Sequence, residues 1–277
     1  MKIIIIFICL ICIYYYLTNI NNIKKIKLYN PYNGYGNLLK DYKNVKYTSG
    51  GIPKILIETS WHNRNEFPEI ICNTLNNNKN INTDYKLYYF DKNEVEEFMK
   101  SYSLRAYNAY KKLIPKAYRA DLFRYCLLEK YGGCYSDIGH IFYKSLDYIC
   151  ENNKLVLVED LNEYNIHNAL ICTIPHNPLI KKIIKQCIKN IENNFYGNSC
   201  LSITGPELVG TIFNKFFKNY KNTKILKLIK YNNELFIINK NNEKIIKTKF
   251  ENYYNVMYKN SNDYYVNLWL NNNVYNF

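Results

Sequence analysis

A helix that stops at two consecutive glycines and then turns into a strand occupies the middle of the chain. Residues 116–131 read KAYRADLFRYCLLEKY, and their apolar side chains recur at helical spacing. Gly132 and Gly133 follow at once, and glycine readily adopts the backbone conformations that end a helix. Residues 134–142 then predict a strand. A helix joined so tightly to a strand is typical of layered α/β domains.

The rest of the chain extends this alternation. Short apolar runs predict strands over residues 54–57, 85–90, 155–158, 225–229 and 235–238. Helices are predicted over residues 93–99, 178–190 and 207–217. The asparagine-rich stretch 72–84 is interpreted as a loop. Strands that alternate with helices indicate an α/β domain with a mostly parallel central sheet.

The composition argues against nucleic-acid binding, despite a formal net charge of +14. The chain has 44 Asn but only four Arg, so the charge is carried by lysines spread along a biased sequence. Proteins that bind nucleic acids more often gather arginine on one face, because its guanidinium grips phosphates and base edges. We therefore expect no nucleic-acid partner.

The N-terminus predicts a membrane anchor. Residues 3–17 carry no charge, glycine or proline, which suits a short membrane span, and Tyr14, Tyr15 and Tyr16 suit an interfacial belt. A cleaved signal peptide and a buried core helix are the alternatives. We interpret residues 1–20 as a signal anchor, residues 21–50 as a polar stem and residues 51–277 as the main domain.

The sequence does not determine which side of the membrane this domain would face. More lysines follow the apolar run than precede it, which would place the domain in the cytosol. The nine cysteines are an odd number, and the spacing of those outside the apolar run predicts neither a disulfide framework nor a zinc site.

A polar constellation surrounds the double glycine. Asp121 and Arg124 are three residues apart, so they share a helix face. Asp137 is expected in the middle of the next strand, shortly before Gly139 and His140. Such carboxylates can hold a divalent cation or bind sugar hydroxyls at a strand end. A surface ion pair between Asp121 and Arg124 is the alternative explanation.

The same segment resembles the DxD-containing glycosyltransferase family, whose members include yeast mannosyltransferases and, more distantly, clostridial glucosylating toxins. The residues that match the family signature are Asp121, Arg124, Tyr125, Leu128, Gly132, Gly133, Tyr135 and Asp137. The segment around Asn168 and the turn Thr204–Pro206 are also similar to the family pattern. The similarity extends over about residues 52–210.

This resemblance implies a GT-A-like, nucleotide-sugar-binding fold and hexose transfer with retention at the anomeric carbon. The donor would be a nucleotide-sugar, GDP-mannose or a UDP-hexose, and the acceptor a hydroxyl of a glycan, lipid or protein. Residues 51–277 would form the catalytic domain, and the family resemblance implies an endomembrane location. An inactive relative that only binds nucleotide-sugars is the alternative.

Carried over by position, Asp121 and Arg124 would contact the donor sugar, and Asp137 would be the first Asp of the DxD motif. The second Asp, which ligates Mn²⁺ or Mg²⁺ in the family, is Gly139 here. A metal site that lacks one ligand, a metal-independent enzyme and an inactive protein are all open. His140 is a weak candidate ligand, because adjacent strand residues point to opposite faces.

Four further residues are candidates for the border of the site. Trp61 and His62 follow the first strand, where a Trp can stack on a base or pack in the core. Asn168 and Trp269 are placed at the site by the resemblance. No residue is assigned as a catalytic nucleophile or base.

Overall fold

The computed structural model describes residues 32–62, 67–258 and 264–276. Their strands are β1 (Ile55–Thr59), β2 (Lys86–Phe90), β3 (Gly133–Ser136), β4 (Ile141–Phe142), β5 (Leu155–Glu159), β6 (Leu170–Thr173), β7 (Thr223–Tyr231), β8 (Glu234–Ile238) and β9 (Lys244–Lys247). Their α-helices are α1 (Tyr35–Asp41), α2 (Glu69–Ile81), α3 (Lys92–Tyr102), α4 (Leu104–Lys112), α5 (Lys116–Tyr131), α6 (Leu146–Cys150), α7 (Pro178–Glu192), α8 (Pro206–Ile212), α9 (Tyr253–Met257) and α10 (Tyr265–Leu270). The helix predicted over residues 116–131 is confirmed.

The strands form one mixed sheet in the order β2-β1-β3-β6-β5-β7-β8-β9-β4. The prediction of a mostly parallel sheet is wrong. Only the pairs β1–β2, β1–β3 and β5–β7 are parallel among the described strands. Asn232 and Asn233 link β7 to β8 with positive φ at both residues. A two-residue turn of this kind forces the strands that it joins to run antiparallel.

Helices cover both faces of the sheet, and each face has its own apolar core. Side chains of β1 alternate between the two: Ile55 and Ile57 pack with α3, α4, α5 and α7, whereas Leu56 packs with α2 and α6. A strand buried on both faces lies inside the sheet, so its ends are where the chain can present polar groups.

The asparagine-rich segment is helical as far as Ile81, so the predicted loop over 72–84 is wrong for all but its last three residues. Ile71, Cys72, Leu75 and Asn78 are buried on one side of α2. This spacing is that of an amphipathic helix, whose other asparagines are exposed or half-buried. Tertiary burial of one stripe outweighs the low helix propensity of asparagine.

The predicted stem overlaps the folded domain. Tyr35 and Leu38 of α1 are buried in the core, and the backbone of Asn33 exchanges hydrogen bonds with Leu87 and Tyr89 of β2. Residues 32–50 therefore belong to the domain, and the predicted boundary at residue 51 is too late. The predicted anchor, residues 1–20, lies outside the described residues. No helix within the described part of the chain combines the length and apolar character of a membrane span.

Tight packing at the double glycine yields a stability prediction. Gly133 has φ +91°, and a Cβ there would lie 2.2 Å from Ile55 Cγ1. We expect Gly133→Ala to lower the free energy of unfolding by about 3 kcal/mol, measured by urea denaturation. Gly36 is the matched control, because a Cβ there meets nothing within 4 Å. Gly36→Ala should leave stability unchanged or raise it, and equal losses in both variants would contradict the packing argument.

Candidate active site

A cavity of about 380 Å³ opens where the parallel strands β1 and β3 end. Ligands commonly bind at the carboxyl ends of parallel strands in α/β proteins. The chain reaches the cavity at the residues after β1, the residues after β3, the first turns of α3 and α5, and α9. The lining residues include Trp61, His62, Lys92, Lys116, Ala117, Arg124, Tyr135, Asp137, Tyr253 and Tyr258.

Arg124 lies at the base of this cavity and joins two carboxylates. Its Nη2 atom lies 3.2 Å from Asp121 Oδ1 and 3.3 Å from Asp137 Oδ1. Its Nη1 donates to the carbonyl of Asn168 at 2.6 Å, and the guanidinium lies 4.3 Å above the ring centroid of Tyr135. Because the side chain is only 6% exposed, these contacts hold the guanidinium in one orientation.

Asp121 is buried beneath the cavity and has polar partners on both oxygens. Asn168 donates to Oδ1 at 2.9 Å and Thr204 donates to Oδ2 at 2.8 Å. Burial raises the pKa of Asp121 to about 6, although Arg124, Thr204 and Asn168 favour its charged form. The two downstream segments similar to the family, around Asn168 and Thr204, thus meet at this one carboxylate.

Asp137 presents its carboxylate to the cavity. The strand β3 ends at Ser136, so Asp137 lies just beyond it, not in the middle of a strand as the sequence predicted. Its side chain is 34% exposed, and Oδ1 accepts a hydrogen bond from the Tyr135 hydroxyl at 3.1 Å. Asp137 is therefore fixed on one side and accessible to a ligand on the other.

Some of the remaining predicted site residues line the cavity, and others do not. Trp61 and His62 line the cavity, whereas Asn168 supports Asp121 from below. Burial lowers the pKa of His62, and nearby Lys116 lowers it further. His140 is outside the lining set: it is 1% exposed and pairs with Ser136 at 2.9 Å. Trp269 donates to the Tyr196 carbonyl at 2.9 Å and does not line the cavity either.

Sequence reasoning missed several lining residues that carry polar groups, among them two lysines and a tyrosine. Lys92 and Lys116 are the first residues of α3 and α5, and Tyr253 begins α9. The two lysines were detectable in principle, because Lys92 follows the strand predicted over residues 85–90 and Lys116 is the first residue of the helix predicted over residues 116–131. No sequence pattern identifies Tyr253 as a site residue, because its role depends on a contact with Gly139, which is far away in the sequence.

The metal implied by the resemblance does not fit the residues present. A Cβ at Gly139 would lie 2.6 Å from Cε2 of Tyr253 and 3.1 Å from the Thr248 carbonyl oxygen. An acidic side chain therefore has no room at this position while Tyr253 stays in place. Asp137 is the one carboxylate among the described lining residues. Mg²⁺ and Mn²⁺ prefer several oxygen ligands, and one carboxylate already bound to Arg124 is a poor site.

Three cysteines converge outside the cavity, a cluster that their spacing in the sequence did not predict. The sulfur atoms of Cys134, Cys150 and Cys172 lie within 4.8 Å of one another in the core beneath β3 and β6. All three are fully buried. Burial raises the pKa of the Cys134 and Cys172 thiols, whereas hydrogen bonds from these two thiols lower the pKa of Cys150.

Comparisons with known proteins agree with this geometry. Residues 58–156 match the family model described as "Glycosyltransferase sugar-binding region containing DXD motif". The resemblance predicted from the sequence is confirmed, and the mixed α/β fold with its curled sheet matches GT-A glycosyltransferases.

Two individual proteins are similar to the chain. The mannosyl phosphorylinositol ceramide synthase CSH1 of Saccharomyces cerevisiae is 26% identical over 203 residues, which cover 68% of this chain and 52% of the yeast protein. The chain thus spans about half the length of this curated relative. The solved PaToxG glycosyltransferase aligns with a TM-score of 0.50 and 15% identity, over 66% of this chain and 75% of that one. This second likeness concerns the fold.

Proposed function

We propose that the protein is a glycosyltransferase that moves a hexose from a nucleotide-sugar to a hydroxyl group of a glycan, lipid or protein. The observation that carries the proposal is the Asp121–Arg124–Asp137 cluster at the base of a cavity. A sugar is bound by fixed donors and acceptors, because its hydroxyls lose water hydrogen bonds on entry. A cluster held by buried partners supplies such groups without rearrangement.

Each member of the cluster has a different part in this proposal. Asp137, which is accessible, would accept hydrogen bonds from the donor, and Arg124 would donate to its sugar or phosphate oxygens. Asp121 would act through Arg124 and hold its orientation. Trp61 and His62 would border the nucleotide. Fixed charges at the breaking bond stabilise the departing diphosphate, where negative charge develops.

The donor is proposed as GDP-mannose, with UDP-hexoses as the next choice. The name of the yeast relative, a mannosyl phosphorylinositol ceramide synthase, supports mannose, and the family resemblance supports retention at the anomeric carbon. Attachment to an endomembrane through residues 1–20 stays a prediction from the sequence.

Turnover of a donor panel tests the proposal. The full-length chain is incubated with GDP- and UDP-hexoses, and release of the nucleoside diphosphate is measured. We expect one donor to be consumed, and Asp137→Ala to reduce the rate roughly 10²–10³-fold, as loss of a preorganised polar group at a reacting centre does. Asp84→Ala is the control, because Asp84 is exposed and does not line the cavity.

The second candidate function is nucleotide-sugar binding without turnover. Gly139 favours it, because the position of the second DxD acid lacks a carboxylate. Calorimetry separates the two functions: binding of a nucleotide-sugar with no product, even when glycan and lipid acceptors are added, would favour the inactive relative. Absence of both binding and turnover would overturn the nucleotide-sugar assignment itself.

A further inference from the structure

We propose that the chain binds the diphosphate of its donor without a divalent cation, through Lys92 and Lys116 together with Arg124. This inference rests on the proposed function, and it explains why an acid is absent at position 139. The three cations line the same cavity. Tyr253 takes up the space that a second acid would need.

The charge of the cavity favours direct binding of the diphosphate. The described lining residues include three cations, Lys92, Lys116 and Arg124, and one carboxylate, Asp137. Arg124 also pairs with Asp121 beneath the cavity, so the remaining excess is one positive charge. A site built around a metal commonly has one or two carboxylates that offset the charge of the cation, and the substrate phosphates complete its ligands. A diphosphate carries two negative charges when esterified at both ends. A cavity with excess positive charge can offset part of it with side chains alone.

The placement of the two lysines supports this assignment. Lys92 and Lys116 are the first residues of α3 and α5, helices of 11 and 16 residues whose N-termini reach the cavity. The amides at a helix N-terminus attract anions. In α5 the capping position is Pro115, which provides no side-chain acceptor, and Ala117 of the first turn lines the cavity. The N-terminus of α3 is capped by the Asp91 carboxylate, which accepts from the backbone of Asn93 and Glu94. The two lysine side chains and the uncapped N-terminus of α5 thus place positive charge at this edge.

Tyr253 occupies the space beside Gly139, where the second acid of a metal site would lie. Its ring carbons Cε2 and Cδ2 would lie 2.6 and 2.9 Å from a Cβ at Gly139, and both residues border the turn after β3. The ring also lines the cavity. Tyr253 therefore both closes the place of a metal ligand and forms part of the wall against which the donor would pack.

Binding in the presence and absence of metal tests the proposal. The full-length chain is titrated with GDP, UDP and GDP-mannose by calorimetry, in EDTA and in Mn²⁺. We expect the dissociation constant to change less than about twofold between the two conditions. Lys92→Met and Lys116→Met should each weaken binding about tenfold, as loss of one charge-assisted contact does. Lys185→Met, an exposed lysine of α7 outside the cavity, should have no effect.

The outcomes separate this inference from the proposed function. Binding or turnover that requires Mn²⁺ would overturn metal independence and leave the transferase assignment intact. Binding in EDTA that neither lysine variant weakens would overturn the assignment of Lys92 and Lys116. No binding of any nucleotide or nucleotide-sugar, with or without metal, would overturn both proposals.

A designed metal site provides an independent readout. Electron paramagnetic resonance measures free Mn²⁺ in the presence of protein and GDP, relative to a protein-free sample with the same GDP, because GDP itself binds Mn²⁺. We expect the natural chain, Gly139→Asp and Tyr253→Ala to leave the free Mn²⁺ signal unchanged, because each lacks either the second acid or the room for it. The double variant Gly139→Asp, Tyr253→Ala should reduce the signal. Loss of the signal with Gly139→Asp alone, or with the natural chain, would contradict the role given to Tyr253.

Discussion

Replacing Arg124 with methionine is expected to lower the free energy of unfolding by about 3–5 kcal/mol and to abolish donor turnover. The guanidinium lies between Asp121 and Asp137, within 3.3 Å of each, and also donates to the Asn168 carbonyl. Methionine has a similar length but no charge. The substitution would leave Asp121 as a buried carboxylate without its cation, and the large energetic effect comes from that unpaired charge.

Urea denaturation of Arg124→Met beside Arg105→Met measures this effect with a matched control. Arg105 pairs with Glu192 at 2.7 Å, but its side chain is 63% exposed. An exposed ion pair contributes about 1 kcal/mol or less, so Arg105→Met should scarcely change stability or turnover. Similar losses in the two variants would show that burial of the cluster does not set its strength.

The catalytic part of the prediction needs a variant that keeps the charge. Arg124→Lys retains a cation but loses the planar fork that reaches both carboxylates and the carbonyl at once. We expect it to recover much of the stability and little of the turnover. Turnover is compared at a temperature where all the variants are folded. Recovery of both properties would indicate that Arg124 contributes charge alone.

The centre of the fold could be predicted from the sequence because local chemistry determines it. Residues 116–131 form the predicted helix, and Gly132 and Gly133 end it with positive φ at both positions. The strand that follows carries Asp137 to the cavity. Helix spacing, glycine punctuation and a polar signature all indicate the same unit, so each observation supports the others.

Features that depend on distant contacts could not be predicted. The sheet is mixed because hairpins such as β7–β8 add antiparallel strands, and a run of asparagines is helical because Ile71 and Leu75 are buried against the sheet. Likewise, the sequence shows only that Gly139 replaces the second Asp of the DxD motif. Only the structure shows Tyr253 beside it, which makes the position sterically closed as well as chemically altered.

The second large effect is expected in the pH dependence of turnover. Burial raises the pKa of Asp121 to about 6, well above its ordinary value of 3.8. Below pH 6 the carboxyl is protonated, and the neutral group interacts weakly with Arg124. We therefore expect kcat/KM to fall about tenfold for each pH unit below 6. This acid limb of the pH profile reflects the pKa of the group in the free enzyme. A diphosphate diester has no group that titrates in this range.

Stability should respond to pH in the opposite sense. An acid whose pKa is higher in the folded state than in the unfolded chain binds protons more tightly when folded. The contribution of Asp121 to stability therefore increases as pH falls from about 6 towards 3.8, and is constant outside this window. The acid limb of turnover would thus occur while the fold gains stability from this group, so unfolding does not explain it.

Two variants identify the group that titrates. Asp121→Asn keeps the size of the side chain and removes its charge, so the acid limb should disappear and turnover should be low at every pH. His62→Gln addresses the other cavity group whose ordinary pKa lies near 6.5, and it should retain the limb. A limb that persists in Asp121→Asn but vanishes in His62→Gln would assign the titration to the histidine. In that case Asp121 would act only as a structural partner of Arg124, and the orientation of the guanidinium would not depend on pH in this range.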